Sequence, residues 1–185
     1  MTLDEFLEAD HEEGWHYELI EGSLYVSPMA NPPQDWTEGY VYDQLRNYSQ
    51  KRPDVINHVT RKCRIFVPSP KGVTAPEPDI GAYCDYPNAP PQSWREVSPV
   101  LVVEVFDSNA EKDLQRNVEL YEQVESIQEY WVFDLRSDPV NPVMHVSRRE
   151  NDTWVKSEHS ADDVYETDLL PGMQLPVSKK VSKGR

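Results

Sequence analysis

Residues 100–106 read Val100-Leu101-Val102-Val103-Glu104-Val105-Phe106. A β-branched run this continuous predicts a strand buried on both faces of a sheet, and the carboxylate inside it is costly there unless a cation or strong hydrogen bonds meet it. Glu104 is therefore a candidate site residue before it is a packing detail. Directly after the strand, Asp107-Ser108-Asn109 offers helix-capping side chains, predicting a helix over about 110–124, and Tyr130-Trp131-Val132-Phe133 predicts the next strand. Strand, helix and strand from Val100 to Asp134 make a βαβ-like unit. Before it, a Pro-rich loop over 68–78 returns the chain to a strand at Asp79-Ile80-Gly81-Ala82-Tyr83, and a second such loop spans 87–99.

Further out the pattern is mixed. Thr2 with Glu5 forms a capping-box pattern, and Leu3, Phe6 and Leu7 give one apolar face of a short helix suited to covering a sheet edge. Tyr17-Glu18-Leu19-Ile20 and Ser23-Leu24-Tyr25-Val26 flank Glu21-Gly22, a two-residue connection that predicts a β-hairpin. A Pro-rich loop is expected over 28–34. Trp36, Tyr40, Val41, Leu45 and Tyr48 then recur at helical steps over about 35–51, ended by Pro53. Residues 55–67 read as one bent strand or two. Val143-Met144-His145-Val146 and Thr153-Trp154-Val155 read as a meander closing near Leu170. The expected class is α/β, a central mixed sheet flanked by helices, in one domain over 1–176 with a basic, frayed tail over 177–185.

Composition narrows the function. The 185 residues carry 33 acids against 18 Lys and Arg, a net charge of -15 that repels a phosphate backbone over most of the surface. Nucleic-acid binding therefore needs a local basic patch or bound divalent cations. Cys63 and Cys84 have no metal-ligand spacing, which argues against a zinc cluster or disulfide scaffold and for reduced thiols in a cytoplasm. The acidic start MTLDEFLEAD has no apolar export core, and no run is long enough to span a membrane. His11, His16, His58, His145 and His159 share no paired spacing, and no Gly-rich phosphate loop is present.

If the Asp79 and Glu104 strands are neighbours, their carboxylates converge on one cation, and two such oxygen ligands plus waters suit Mg²⁺ or Mn²⁺. A cation held there orients and deprotonates water and neutralises charge on a phosphoryl transition state. The plainer alternative makes Asp79 a solvated strand-start residue and Glu104 the partner of an arginine.

Four motifs in order, Tyr17-Glu18-Leu19-Ile20-Glu21-Gly22, Glu77-Pro78-Asp79, Val102-Val103-Glu104-Val105 and Glu129-Tyr130-Trp131-Val132-Phe133-Asp134, carry a resemblance. The chain resembles the Uma-two family of restriction-endonuclease-like proteins, within the PD-(D/E)XK nuclease superfamily. The likeness runs from Leu3 to about Pro176, and Leu169-Leu170-Pro171-Gly172-Met173 matches the family's closing loop. It implies a restriction-endonuclease-like core and a Mg²⁺-dependent phosphodiesterase site. Asp79 and Glu104 would be metal ligands, the Val105 carbonyl a further one, and Glu18 an accessory acid. Nucleic acid, DNA first, is the implied partner, and the fold leaves room for a homodimer.

The chain departs from the pattern at the cation. The superfamily's lysine normally lies two residues after the Glu, where this chain has Phe106. The Uma-two family tends to place it on the following helix four residues before a Tyr, which is Asn117 before Tyr121. Leu114, Asn117, Val118 and Tyr121 share one helical face, so Asn117 points toward the sheet. At about 100° per residue, Lys112 and Arg116 fall roughly 160° to 200° from Leu114, on the opposite face. Asn117 brings hydrogen bonds without charge, and Lys62 or Arg64 would have to supply charge from another element. Trp131 is expected in the core, with a dimer contact as the minor alternative.

Two functions follow. One is a metal-dependent endonuclease in which Asp79 and Glu104 hold the cation, Glu18 assists and Asn117 positions a reacting group. The other is a catalytically weakened nuclease-fold module that binds nucleic acid or a protein partner through the same cleft.

Overall fold

Leu101–Phe106 (β5) lies inside a six-stranded sheet, every residue buried. In the computed structural model, which describes residues 1–61, 63–68, 72–107, 112–151 and 153–179 and only the backbone of Lys112 and Asp113, its neighbours are Ile80–Tyr83 (β4) and Glu129–Asp134 (β6). The sheet order is His58–Arg61 (β3), β4, β5, β6, Val143–Glu150 (β7) and Thr153–His159 (β8), with β5 and β6 parallel and the other pairs antiparallel. The expected mixed sheet and its βαβ unit are therefore present.

Alternation along β5 divides the core. Leu101, Val103 and Val105 face one side, where they meet Trp131 and Phe133 together with Tyr40, Val41 and Leu45 from the helix Pro32–Lys51 (α2). Val102 and Phe106 face the other, against Tyr130, Val132, Val118 and Tyr121. Glu104 sits between Val102 and Phe106 on this second face. Burying a Val or Leu stabilises by roughly 1.5–3 kcal/mol, so the apolar members of β5 together outweigh the several kcal/mol that one buried carboxylate costs.

The second face is covered by the hairpin Trp15–Ile20 (β1) and Ser23–Pro28 (β2) and by a helical crossover, and Phe6 of Leu3–Glu8 (α1) is fully buried. Glu21 and Gly22 both adopt positive φ, 49° and 77°, as a tight type I′ connection requires. The hairpin is tied to segment 73–77 by Gly22 N–H to the Val73 carbonyl (2.9 Å) and Ala75 N–H to the Leu19 carbonyl (2.6 Å). Thr2 and Glu5 make the predicted capping box.

Several boundaries differ from the sequence expectation. The helix α2 begins at Pro32, inside the stretch expected as loop, because Asn31 and Gln34 cap it reciprocally and proline is tolerated in a first turn whose N–H groups are unpaired. Over 55–67, among the described residues, only His58–Arg61 joins the sheet, and Val67 bridges Thr74. The crossover helix opens as a π-helical turn over Lys112–Arg116 and continues as Asn117–Glu122 (α3), while its expected start at 108–111 lies outside the described residues. After β8, Val164–Tyr165 (β9) and Leu175–Pro176 (β10) form a separate two-stranded sheet. Val177 and Ser178 are buried, so packing reaches past Pro176, and the expected tail from 180 onward lies outside the described residues. Trp131 is fully buried in the core, which removes it as a dimer contact. Both cysteines are free thiols, and no described helix is long and apolar enough to cross a membrane.

Candidate active site

The register between β4 and β5 pairs Ile80 with Val103 and Gly81 with Val102. Extending it by one residue sets Asp79 across from Glu104, and directly opposed residues of an antiparallel pair project to the same face. The condition set for a shared site, that these two strands be neighbours, is met. The Val105 N–H donates to Asp79 Oδ2 at 2.7 Å, so the strand that carries Glu104 also orients the other carboxylate. Both acids line a cleft of about 310 Å³ between the sheet, the β1–β2 hairpin and the start of α2.

Glu104 is nearly inaccessible, and the crossover helix supplies donors to it. Asn117 Nδ2 and the Tyr121 hydroxyl each donate to Glu104 Oε1 at 3.3 Å. Asn117 is fully buried and faces the sheet, as its helical spacing predicts. Burial, and then the charge of Glu104, push the Tyr121 phenol well above its ordinary pKa, so it remains a protonated donor. Glu18 lines the same cleft from β1 and accepts from the Glu77 N–H at 3.3 Å through Oε1. All four residues named from the sequence, Glu18, Asp79, Glu104 and Asn117, thus come together on one face.

Other wall residues were not named as site candidates from the sequence. His16 lines the cleft from β1, one residue before Tyr17 in the hairpin. Glu77 lines it too and pairs with Arg64 at 2.8 Å, which commits that arginine to a structural contact. Asp107, expected as a cap of the helix whose start lies outside the described residues, accepts from Asn31 Nδ2 and from Gln34 Nε2, joining the end of β5 to the start of α2. An adjoining cavity of about 300 Å³ shares His16, Glu77 and Asp79 and adds Asp35, Glu38 and Arg61. Arg61 pairs with Glu38 and, at 2.9 Å, with Asp35, and these contacts raise its pKa further above an already high value.

The sequence geometry fails at one position. Arg116 was expected on the face away from the site, yet its Nη2 lies 3.7 Å from Glu18 Oε2 and 3.3 Å from Asn117 Oδ1. Arg116 precedes Asn117 by one residue, about 100° of helical rotation from it, and its long side chain spans that angle to reach Asn117, Glu18 and the hairpin. Lys62 lies outside the described residues, as does the Lys112 side chain.

Whether a divalent cation fits can be judged from the donor set. Asp79 and Glu104 are hard oxygen donors on facing strands beside an open cleft, oriented by their bonds to Val105, Asn117 and Tyr121. Among the described residues no group of three His, Cys, Asp or Glu side chains forms a cation cage. Mg²⁺ commonly binds through one or two carboxylates, completing its shell with water and substrate phosphate, so the pair fits that mode and not an all-protein cage.

Comparison with known proteins agrees with this fold. Residues 3–178 match the family Uma2, described as "Putative restriction endonuclease". The chain belongs to the Uma2 family. Among solved structures, this Uma2 chain is similar to one described as a "putative nuclease belonging to DUF820 from Anabaena variabilis ATCC 29413", at a TM-score of 0.71 and 16% identity. The likeness covers 96% of this chain and 95% of that one, and at this identity it establishes the fold. No curated protein matches the chain.

Proposed function

We propose that this Uma2 protein is a Mg²⁺- or Mn²⁺-dependent endonuclease that hydrolyses phosphodiester bonds of nucleic acid, DNA in the first instance. The observation that carries the reading is the opposition of Asp79 and Glu104 on adjoining strands at the wall of an acid-lined cleft. A chain of net charge -15 has no general attraction for phosphate, so an acidic cleft that receives one needs a bound cation. Asp79 and Glu104 would hold it, with the Val105 carbonyl as a further oxygen donor at the same strand position. When bound, the cation supplies a lowered water pKa and charge neutralisation at phosphorus.

The protein's own groups do the positioning. Val105 N–H fixes one oxygen of Asp79, which leaves the carboxylate a single orientation against β5. Asn117 and Tyr121 hold Glu104 from the helix side, and Tyr121 stays protonated across the physiological range. Glu18, on the wall beside them, can accept a proton from water entering the cleft or raise its negative field toward the cation. Phe106 closes the apolar layer beneath.

The test is cleavage of labelled single-stranded and duplex DNA and RNA with Mg²⁺ or Mn²⁺, comparing wild type with Asp79→Ala and Glu104→Gln. Loss of at least about a hundredfold in rate, roughly 2.7 kcal/mol, is expected in both variants with thermal unfolding retained. Equal cleavage by folded variants would overturn the assignment, and binding without cleavage by the wild type would favour the weakened-module reading.

A further inference from the structure

The acids around the cleft pose a problem that two cation ligands do not solve: a phosphate entering between Glu18, Glu77, Asp79, Glu104 and Asp107 meets repulsion on several sides. Arg64 is engaged with Glu77, and Arg61 with Glu38 and Asp35. Arg116 is differently placed. Its guanidinium lies over the Tyr25 ring, 4.7 Å from the centroid, which fixes its plane on the hairpin side of the site. Nε and Nη2 reach Asn117 Oδ1 at 3.4 and 3.3 Å, and Nη2 stands 3.7 Å from Glu18, beyond hydrogen-bond length. Among the described residues Nη1 has no partner, and the side chain remains 25% exposed. Through Asn117 the guanidinium is one side chain removed from Glu104. Tyr25 and Glu18 face each other across the hairpin, so both flanks of Arg116 lie on the face of that ribbon that carries Glu18.

The geometry points to Arg116 as the phosphate-binding cation of this site: it donates from Nη1 to a non-bridging oxygen of the substrate strand, held in place by Tyr25 and Asn117. A planar guanidinium with fixed donors suits a phosphate better than a flexible point charge does. The length of the arginine side chain brings it there from a position one residue before Asn117. Asn117 then acts as a link, joining the cation on one side to Glu104 on the other. The inference rests on the endonuclease reading and adds to it the group that meets the substrate's charge.

The test measures binding of the full-length protein to a fluorescent oligonucleotide, with Ca²⁺ replacing Mg²⁺ to prevent turnover, across a range of salt concentrations. Arg116→Gln keeps most of the side chain's length and removes the charge. It is expected to lower affinity on the order of tenfold and to reduce the slope of log K against log salt by about 0.7 for a single strand or about 0.9 for a duplex. Arg116→Lys should restore the slope and recover only part of the affinity. Arg52→Ala, at the far end of α2 where Arg52 pairs with Asp54, should leave both unchanged. An unchanged slope in Arg116→Gln, beside a wild type that binds and cleaves, overturns the role of Arg116 alone. A wild type that binds no oligonucleotide overturns the endonuclease reading and this inference together. A slope reduced equally in Arg116→Gln and Arg116→Lys would show a packing effect and also overturn it.

Discussion

Gly81→Ala places one methyl group in the tightest part of the sheet beside the site. A Cβ at Gly81 would lie 2.6 Å from Cys63 Sγ and 3.3 Å from both the Tyr83 ring edge and its hydroxyl. Cys63 is fully buried and Tyr83 almost so, which leaves neither room to withdraw. Overpacking of this kind costs about 1–3 kcal/mol. The lower chain entropy of unfolded Ala returns about 0.4–1 kcal/mol, since Gly81 does not occupy a left-handed conformation. The expected net loss is about 1–2 kcal/mol, or roughly 2–8 °C in Tm for a chain of this size. Cys63→Ala alone should cost about 1 kcal/mol as a small buried group is lost. In the double variant the new methyl occupies the space vacated by Sγ, so the two losses should fall short of additivity by about 1–2 kcal/mol. Urea unfolding supplies the cycle, and thiol labelling supplies a local readout. Burial pushes the Cys63 thiol up to about 12, so in the native wild type only the exposed Cys84 should react, and Gly81→Ala should make Cys63 reactive. A Gly81→Ala protein as stable as wild type, or strict additivity in the cycle, would refute the packing argument.

Further predictions address groups away from the cleft. His58 stacks on Tyr86 at 3.8 Å, and burial holds its pKa below 6.5, so the unfolded chain takes up the proton first as pH falls; stability should be whole above about pH 6.5 and decline below it, and His58→Gln should flatten that limb in urea titrations. Glu129 is fully buried and accepts from Trp131 Nε1 (2.7 Å), the Tyr165 hydroxyl (3.0 Å) and Thr167 Oγ1. Glu129→Gln turns one acceptor into a donor among donors and should cost about 2–3 kcal/mol, with faster hydrogen exchange over residues 164–176; a loss under about 0.5 kcal/mol would show that this carboxylate does not tie the β9–β10 ribbon to the sheet.

Much of this architecture was legible because local chemistry and tertiary packing agree. The unbroken β-branched run of β5 could only be a central strand, Glu21-Gly22 could only turn tightly, and the spacing of Tyr40, Val41, Leu45 and Tyr48 set which face of α2 is buried. The same run identified Glu104, since an acid there has to be met by something. What the sequence left open depends on pairing and side-chain reach. That Asp79 opposes Glu104 follows from antiparallel register, which no residue near Asp79 announces. Pro32-Pro33 carries a loop signature but serves as a helix start once Asn31 caps it. Arg116 was misplaced because periodicity fixes only where a side chain leaves the helix, and a long arginine beside Asn117 reaches back to Glu18 and Tyr25. Glu129 was noticed as part of a motif, while its role as a buried acceptor depends on Tyr165 and Thr167, more than 30 residues away.

The central claim is that Asp79 and Glu104 together hold one divalent cation. Calorimetric titration of Mn²⁺ into the full-length protein tests it without requiring a known substrate. One saturable site is expected in the wild type, weakened at least about tenfold in Asp79→Ala and in Glu104→Gln. Mn²⁺ binding of undiminished affinity and stoichiometry in both folded variants would contradict it.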